Sequence, residues 1–139
     1  SCPKAENMPG AEEAMRKIKK AGLKIAVVTG SGQKTLLSNL QSHFPGLISE
    51  QLMITGFDVK HGKPDPEPYL KGLMKVGVQP NEAIVVENAP LGVRSAVAAK
   101  IFTIAVNTGP LPDEMLLEEG ANLLLPSMQS LCENLEKLF

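Results

Sequence analysis

Residues 83–107, "AIVVENAPLGVRSAVAAKIFTIAVN", read as a strand, a helix and a second strand with almost nothing between them. Ile84, Val85 and Val86 are apolar and β-branched, which suits a pleated, buried segment and predicts a strand over 83–88. Pro90 fits the first turn of a helix, and the small residues that follow predict a helix over 90–100. "FTIAVN" at 102–107 predicts the next strand. Two strands joined by a crossover helix must run parallel. Glu87 and Asn88 end the first of them without transition. Polar groups at the carboxyl end of a buried parallel strand usually face a ligand.

The same alternation extends along the chain. Pro9 and Gly10 introduce a helix over 11–21, with Ala14, Met15, Ile18 and Ala21 as its inward stripe. "LKIAVVT" at 23–29 predicts a strand of the buried parallel type. "GSG" at 30–32 turns into a helix over 33–43 that would face Leu36, Leu37 and Leu40 inward. "LMITGFDV" at 52–59 predicts a short strand and a loop, and "GKPDPEP" at 62–68 opens a helix over 66–76. A Pro-flanked segment near 112–119, a short strand in 121–127 and a closing helix to about 138 complete the pattern. The expected fold is α/β: a doubly wound, Rossmann-like parallel sheet in three layers, with ligands at the strands' carboxyl ends. The positions that matter are then Thr29–Gly32, Thr55–Asp58, Glu87–Ala89 and Asn107–Thr108.

At 139 residues the chain is long enough for one domain with a real core. Its formal net charge is −1, from 14 basic and 15 acidic residues without a long block of either sign. That balance argues against nucleic acid and against a polybasic membrane surface as partners. With no Trp, one Tyr and four Phe, a base-stacking platform is not expected either. Apolar runs such as Ile84–Val86 and Leu123–Leu125 are far too short to span a bilayer, so no membrane partner is expected. Cys2 and Cys132 read as free cytosolic thiols, although a bridge between them is not forbidden by sequence. The expected setting is cytoplasmic, since the N-terminus lacks a signal-peptide pattern.

Three stretches carry candidate chemistry. "VVTGSGQKT" sits where a phosphate loop would, but Gln33 separates Gly32 from Lys34 and Val28 stands where the first P-loop Gly belongs. What remains is the Thr29 hydroxyl with the backbone amides of Gly30, Ser31 and Gly32 at a helix start. This is either an anion site or a tight turn capped by Ser31. In "HGKPDPEPY", Pro64, Pro66 and Pro68 restrict the loop that carries Lys63, so an ammonium is held there at low entropic cost. Asp65 reads as a helix N-cap and Glu67 as a first-turn acid. Glu87 and Asn88 are hard oxygen ligands suited to Mg²⁺, or alternatively a carboxylate and an amide satisfying the turn.

Together these stretches resemble the haloacid dehalogenase superfamily, in its sugar-phosphate phosphatase and β-phosphoglucomutase-like branch. The resemblance runs from "MPGAEEAMRKIKKAGLKIAVVTGSG" through "GKPDPEPYLKGLMKVGV" to "VVENAPLGVRSAVAAKIFTIAVNTG". It implies that Thr29, Gly30 and Ser31 bind the phosphoryl group, that Lys63 pairs with that group and with a nucleophilic aspartate, and that Glu87 and Asn88 hold Mg²⁺. It implies a small phosphorylated substrate, a sugar phosphate, hydrolysed with Mg²⁺ as a phosphomonoester through a phosphoaspartate whose Asp lies outside this chain. A β-phosphoglucomutase-type isomerase and a non-catalytic phosphate-binding fragment are the alternatives. A receiver-domain reading is weaker, because it too needs a strand-tip aspartate.

Two departures stand out. Asn88 occupies a position that is normally Asp, removing a charge while keeping a carbonyl oxygen. The family's Asp-x-Asp nucleophile is not found, since the aspartates here are Asp58, Asp65 and Asp113 and none follows an apolar strand in that pattern. The expectation is therefore a return linker at 1–10 and a partial core domain at 11–139, lacking the nucleophile strand and cap. Such a segment alone is expected to be inactive. The vacant position would fall between the strands ending at Thr29 and Glu87, so residues 25–28 and 84–87 should not pair with each other.

Overall fold

Strand-helix alternation becomes two parallel blocks bridged by a helix in the computed structural model, which describes residues 10–30, 42, 44, 46, 47 and 49–137. Helix α1 spans Ala11–Lys20 and strand β1 Val27–Val28. Strand β2 spans Met53–Ile54, helix α2 Glu67–Val76 and strand β3 Ile84–Glu87. Helix α3 (Pro90–Ala98), β4 (Phe102–Val106), α4 (Asp113–Glu118), β5 (Leu123–Leu125) and α5 (Met128–Asn134) follow, the last continuing as a 3-10 turn over Leu135–Lys137. The linker before Gly10 lies outside the described residues, as do Cys2 and almost all of the helix expected over 33–43, with Leu36, Leu37 and Leu40.

All strand pairs are parallel, as the α/β reading requires. β1 pairs with β2, setting Val28 opposite Ile54, while β3, β4 and β5 form a second block in that order. Among the described residues no ladder joins β1 to β3. The sheet is thus divided into two blocks, and residues 25–28 and 84–87 do not pair, as expected. Helix α2 spans the break. Its Tyr69 and Leu73 pack with Val85 of β3 and with Val28 of β1, and Lys75 Nζ donates to the Met53 carbonyl of β2 at 3.1 Å.

β4 is the central strand of its block and is buried on both faces. Ile104 and Val106 pack with Ala14, Leu131, Cys132 and Leu135 on one side. Ala105 packs with Val93 and Leu116 on the other. Such two-sided burial is why the strand reads as an unbroken apolar run. β3 differs from the expected buried strand. Val85 and Glu87 are buried at 8%, whereas Ile84 and Val86 are 42% and 39% exposed. Its only ladder is with β4, so one edge and one face lack cover among the described residues. The expected burial of 23–29 is corrected for the same reason: β1 is half-buried and Leu23 is exposed.

Helix α1 shows why small residues precede it. Gly10 sits at φ +88°, and a Cβ there would lie 2.6 Å from the Gln129 Cα. Only glycine allows that approach to α5 in the left-handed region. Ala11 and Ala14 are buried, but Ala21, expected on the inward stripe, is the exposed C-cap. Glu12 and Glu13 open the helix and Lys17, Lys19 and Lys20 close it, complementing its dipole. Cys132 is a buried free thiol.

Candidate active site

The loop carrying Lys63 is pinned before it reaches the strand tips. Asp65 N donates to the Gly62 carbonyl at 3.0 Å, and Asp65 Oδ1 accepts from Glu67 N at 2.9 Å. Pro66, not Asp65, holds the N-cap position of α2, so the expected cap is displaced by one residue while its hydrogen bond is kept. Buried Ser95 on α3 donates to the Asp65 carbonyl at 2.6 Å. The Lys63–Pro64 peptide is cis. Glu67 stands in the first turn of α2 as expected, and it also accepts from Lys60 N and His61 N at 2.8 and 3.1 Å. These bonds hold its carboxyl below the usual range, the Lys60 amide first among them.

From this loop the Lys63 ammonium donates to the Val28 carbonyl at 3.2 Å and to Glu87 Oε1, forming an ion pair. One cation therefore bridges the last residues of β1 and β3, across the break between the blocks. It also lies 5.0 Å from the centre of the Tyr69 ring. Burying a carboxylate costs several kcal/mol unless its oxygens are satisfied, on the order of a charged group's desolvation. Glu87 meets that cost with three donors: Lys63 and the Tyr69 hydroxyl on Oε1, and Asn88 N on Oε2 at 3.1 Å. Burial, the Glu87 charge and their hydrogen bond together push the Tyr69 phenol far above its ordinary value.

Gly92 makes the carboxylate's position possible. A Cβ at Gly92 would fall 2.1 Å from Glu87 Cδ and 2.2 and 2.3 Å from its oxygens. The glycine in "VVENAPLG" is therefore an opening for the glutamate two strand residues after Val85. Asn88 is exposed, and its amide donates to Thr108 Oγ1 at 3.4 Å, linking the tips of β3 and β4.

Among the anticipated residues, Lys63 and Glu87 are in direct contact, Asn88 adjoins Glu87, and Thr29 follows the Val28 carbonyl that receives Lys63. Thr29 N donates to the Ile54 carbonyl at 2.9 Å, extending the β1–β2 ladder to the tip. Gly30 is exposed beside it, whereas Ser31 and Gly32 lie outside the described residues. The other strand-tip candidates are structural. Asp58 Oδ2 accepts from Thr55 N at 2.7 Å and from Thr55 Oγ1 at 3.0 Å, closing the turn after β2. Asn107 Nδ2 donates to the Leu111 carbonyl and to Asp113 Oδ1, fixing the loop before α4. Sequence reasoning missed Tyr69 and Ser95. Tyr69 is the one tyrosine of the chain and lies four residues before Leu73, on the inward face of its helix.

The donor set fits a hard divalent cation as a half-site. Glu87 offers a carboxylate and Asn88 an amide carbonyl, both oxygen ligands of the kind Mg²⁺ takes. Among the described residues no cluster of three or more His, Cys, Asp or Glu could hold a metal alone. No described helix is long and apolar enough to cross a membrane.

A lysine clamped by a rigid proline loop onto a strand-tip glutamate can be compared with known proteins. The profile of the haloacid dehalogenase-like hydrolase family matches residues 3–106. The chain belongs to that family. It is 38% identical over 100 residues to hexitol phosphatase A of Escherichia coli, covering 72% of this chain and 45% of that protein. It is 35% identical over 123 residues to the phosphorylated carbohydrates phosphatase of Thermotoga maritima, covering 84% and 54%. A solved structure from Bacteroides vulgatus, assigned as a β-phosphoglucomutase, superposes with a TM-score of 0.92 at 62% identity, covering 99% of this chain and 56% of that one. These relatives set this haloacid dehalogenase-like chain in the β-phosphoglucomutase-like branch. The chain spans about half the length of the curated relatives it matches.

Proposed function

We propose that this haloacid dehalogenase-like protein, at full length, is a Mg²⁺-dependent phosphomonoesterase acting on a small phosphorylated carbohydrate. The observation that carries the reading is the Lys63 ammonium, held by Val28 and Glu87 where the carboxyl ends of β1 and β3 face each other. The names of its relatives, which hydrolyse phosphorylated carbohydrates, support the substrate class.

In this reading residues 1–10 are a linker and 11–139 part of a core domain. An aspartate-bearing strand fills the position between β1 and β3, supported by the absence of a ladder between them. Lys63 neutralises charge on the transferring phosphoryl group, and a fixed ammonium does so without reorganising as the reaction proceeds. Thr29 Oγ1 and the amides of Gly30 and Ser31 hydrogen-bond its oxygens. Glu87 and Asn88 hold Mg²⁺, which when bound offsets phosphate charge and orients the group for in-line displacement. The aspartate carboxylate forms a bond to phosphorus as the bond from phosphorus to the ester oxygen breaks, and the departing oxygen takes a proton from solvent water. Water then cleaves the phosphoaspartate to release phosphate. The setting is cytoplasmic, in keeping with the free thiol of Cys132.

The test is phosphate release by the full-length protein from a panel of hexose, hexitol and glycerol phosphates, with Mg²⁺ and with chelator. Release that requires Mg²⁺ and drops at least about 100-fold in Lys63→Ala supports the reading. No release from any member of the panel overturns it. A mutase is the second reading, favoured by the Bacteroides vulgatus likeness. It predicts interconversion of hexose 1- and 6-phosphates with little free phosphate, which the same assay separates by sugar analysis.

A further inference from the structure

We infer that Tyr69 is a positioning residue for Glu87, holding Oε1 on the protein so that Oε2 serves the divalent cation. The inference rests on the proposed role of Glu87 as a metal ligand. It concerns a residue that neither the motifs nor the strand-tip positions single out.

The two Glu87 oxygens are not equivalent. Oε1 receives both the Tyr69 hydroxyl, at 2.5 Å, and the Lys63 ammonium. Oε2 receives the neighbouring Asn88 N–H at 3.1 Å. A glutamate's last torsion is broad and two-fold, so a carboxylate without an anchor samples many orientations. Gly92 removes the one Cβ that would otherwise wedge the group from α3. The anchor comes instead from α2, which packs beside α3 and places the Tyr69 hydroxyl on Oε1. The phenol is 7% exposed and packed with Leu73, Val85 and Ala96, so its ring has one orientation to offer. The same ring lies 5.0 Å from the Lys63 ammonium, which keeps that cation over the oxygen the hydroxyl already holds.

Groups that orient a ligating carboxylate commonly change metal affinity by about 10–100-fold when removed. The experiment is calorimetric titration of Mg²⁺ alone into the full-length protein, comparing wild type, Tyr69→Phe and Leu73→Val. Tyr69→Phe keeps the ring and its packing and removes only the hydroxyl. It is expected to weaken Mg²⁺ binding about tenfold or more, and to raise the Mg²⁺ concentration needed for half-maximal activity by the same factor. The KM for the phosphorylated substrate, at saturating Mg²⁺, should stay near that of wild type. Leu73→Val loosens the same core without touching Glu87 and should leave Mg²⁺ affinity unchanged while lowering the melting temperature. Wild-type affinity in Tyr69→Phe, or an equal loss in Leu73→Val, overturns the inference and leaves the role of Glu87 standing. A wild-type protein that does not bind Mg²⁺ overturns both.

Discussion

Gly92 and Glu87 have to be considered as one unit, because the space for the carboxylate is the missing side chain of the glycine. Gly92→Ala would put a methyl 2.1 Å from Glu87 Cδ. Either the carboxylate leaves Lys63 and Tyr69 or α3 moves away from β3. Overpacking of this kind costs about 1–3 kcal/mol. Urea unfolding should record that loss, and phosphatase activity of the full-length protein should fall further than stability explains. Tyr69 adds a pH dependence whose sign follows from its environment. Burial, and then Glu87, raise its folded pKa above the ordinary value of 10.0, so the folded state keeps a proton that the unfolded state releases. Its contribution is complete below pH 10 and declines as pH rises above it. Melting temperature measured from pH 8 to 11 should fall more steeply in the wild type than in Tyr69→Phe. Asp58 acts oppositely. The Thr55 amide holds its pKa below the ordinary 3.8, so its contribution is present above that value and is lost as pH falls through the folded one.

Helices here are secured by different devices, and their mutational costs should differ accordingly. α5 begins at Ser127, whose hydroxyl oxygen accepts from Ser130 N at 3.0 Å. Ser127→Ala should lower stability by about 1 kcal/mol, the usual worth of such a cap, in a chemical denaturation series. α1 begins at Gly10 without a side-chain cap, in a left-handed conformation and against the backbone of Gln129. Gly10→Ala should therefore cost more than Ser127→Ala, since it adds both backbone strain and a clash with backbone atoms that cannot rotate away. α2 has a wider role. It carries Tyr69 to Glu87, packs on Val28 and reaches Met53 through Lys75, so it orients both blocks towards one lysine.

At the scale of the whole molecule, the free edge of β3 carries part of the exposed apolar surface of the described residues. Ile84 and Val86 of β3 are exposed although their pattern is that of a buried strand. If the proposed strand occupies the position between β1 and β3, amides on the free edges of those strands should exchange slowly in the full-length protein. In residues 1–139 alone the same amides should exchange quickly, with no hydrolysis of sugar phosphates. Equal protection in both would remove the proposed strand from the account.

How much of this was legible without coordinates depends on how far apart in sequence the contacting residues lie. Strand-helix alternation, the parallel fold and the cluster of Thr29, Lys63, Glu87 and Asn88 at strand ends all follow from local patterns, because burial period and turn chemistry act over a few residues. Sequence by itself therefore determined the elements, their parallel sense and the family. Only the tertiary structure decided that Lys63 crosses 24 positions to meet Glu87 and that Tyr69 crosses 18 to hold the same oxygen. Those outcomes arise from packing of α2 and α3 against separate strands, and no local propensity encodes which distant side chains such packing will bring together.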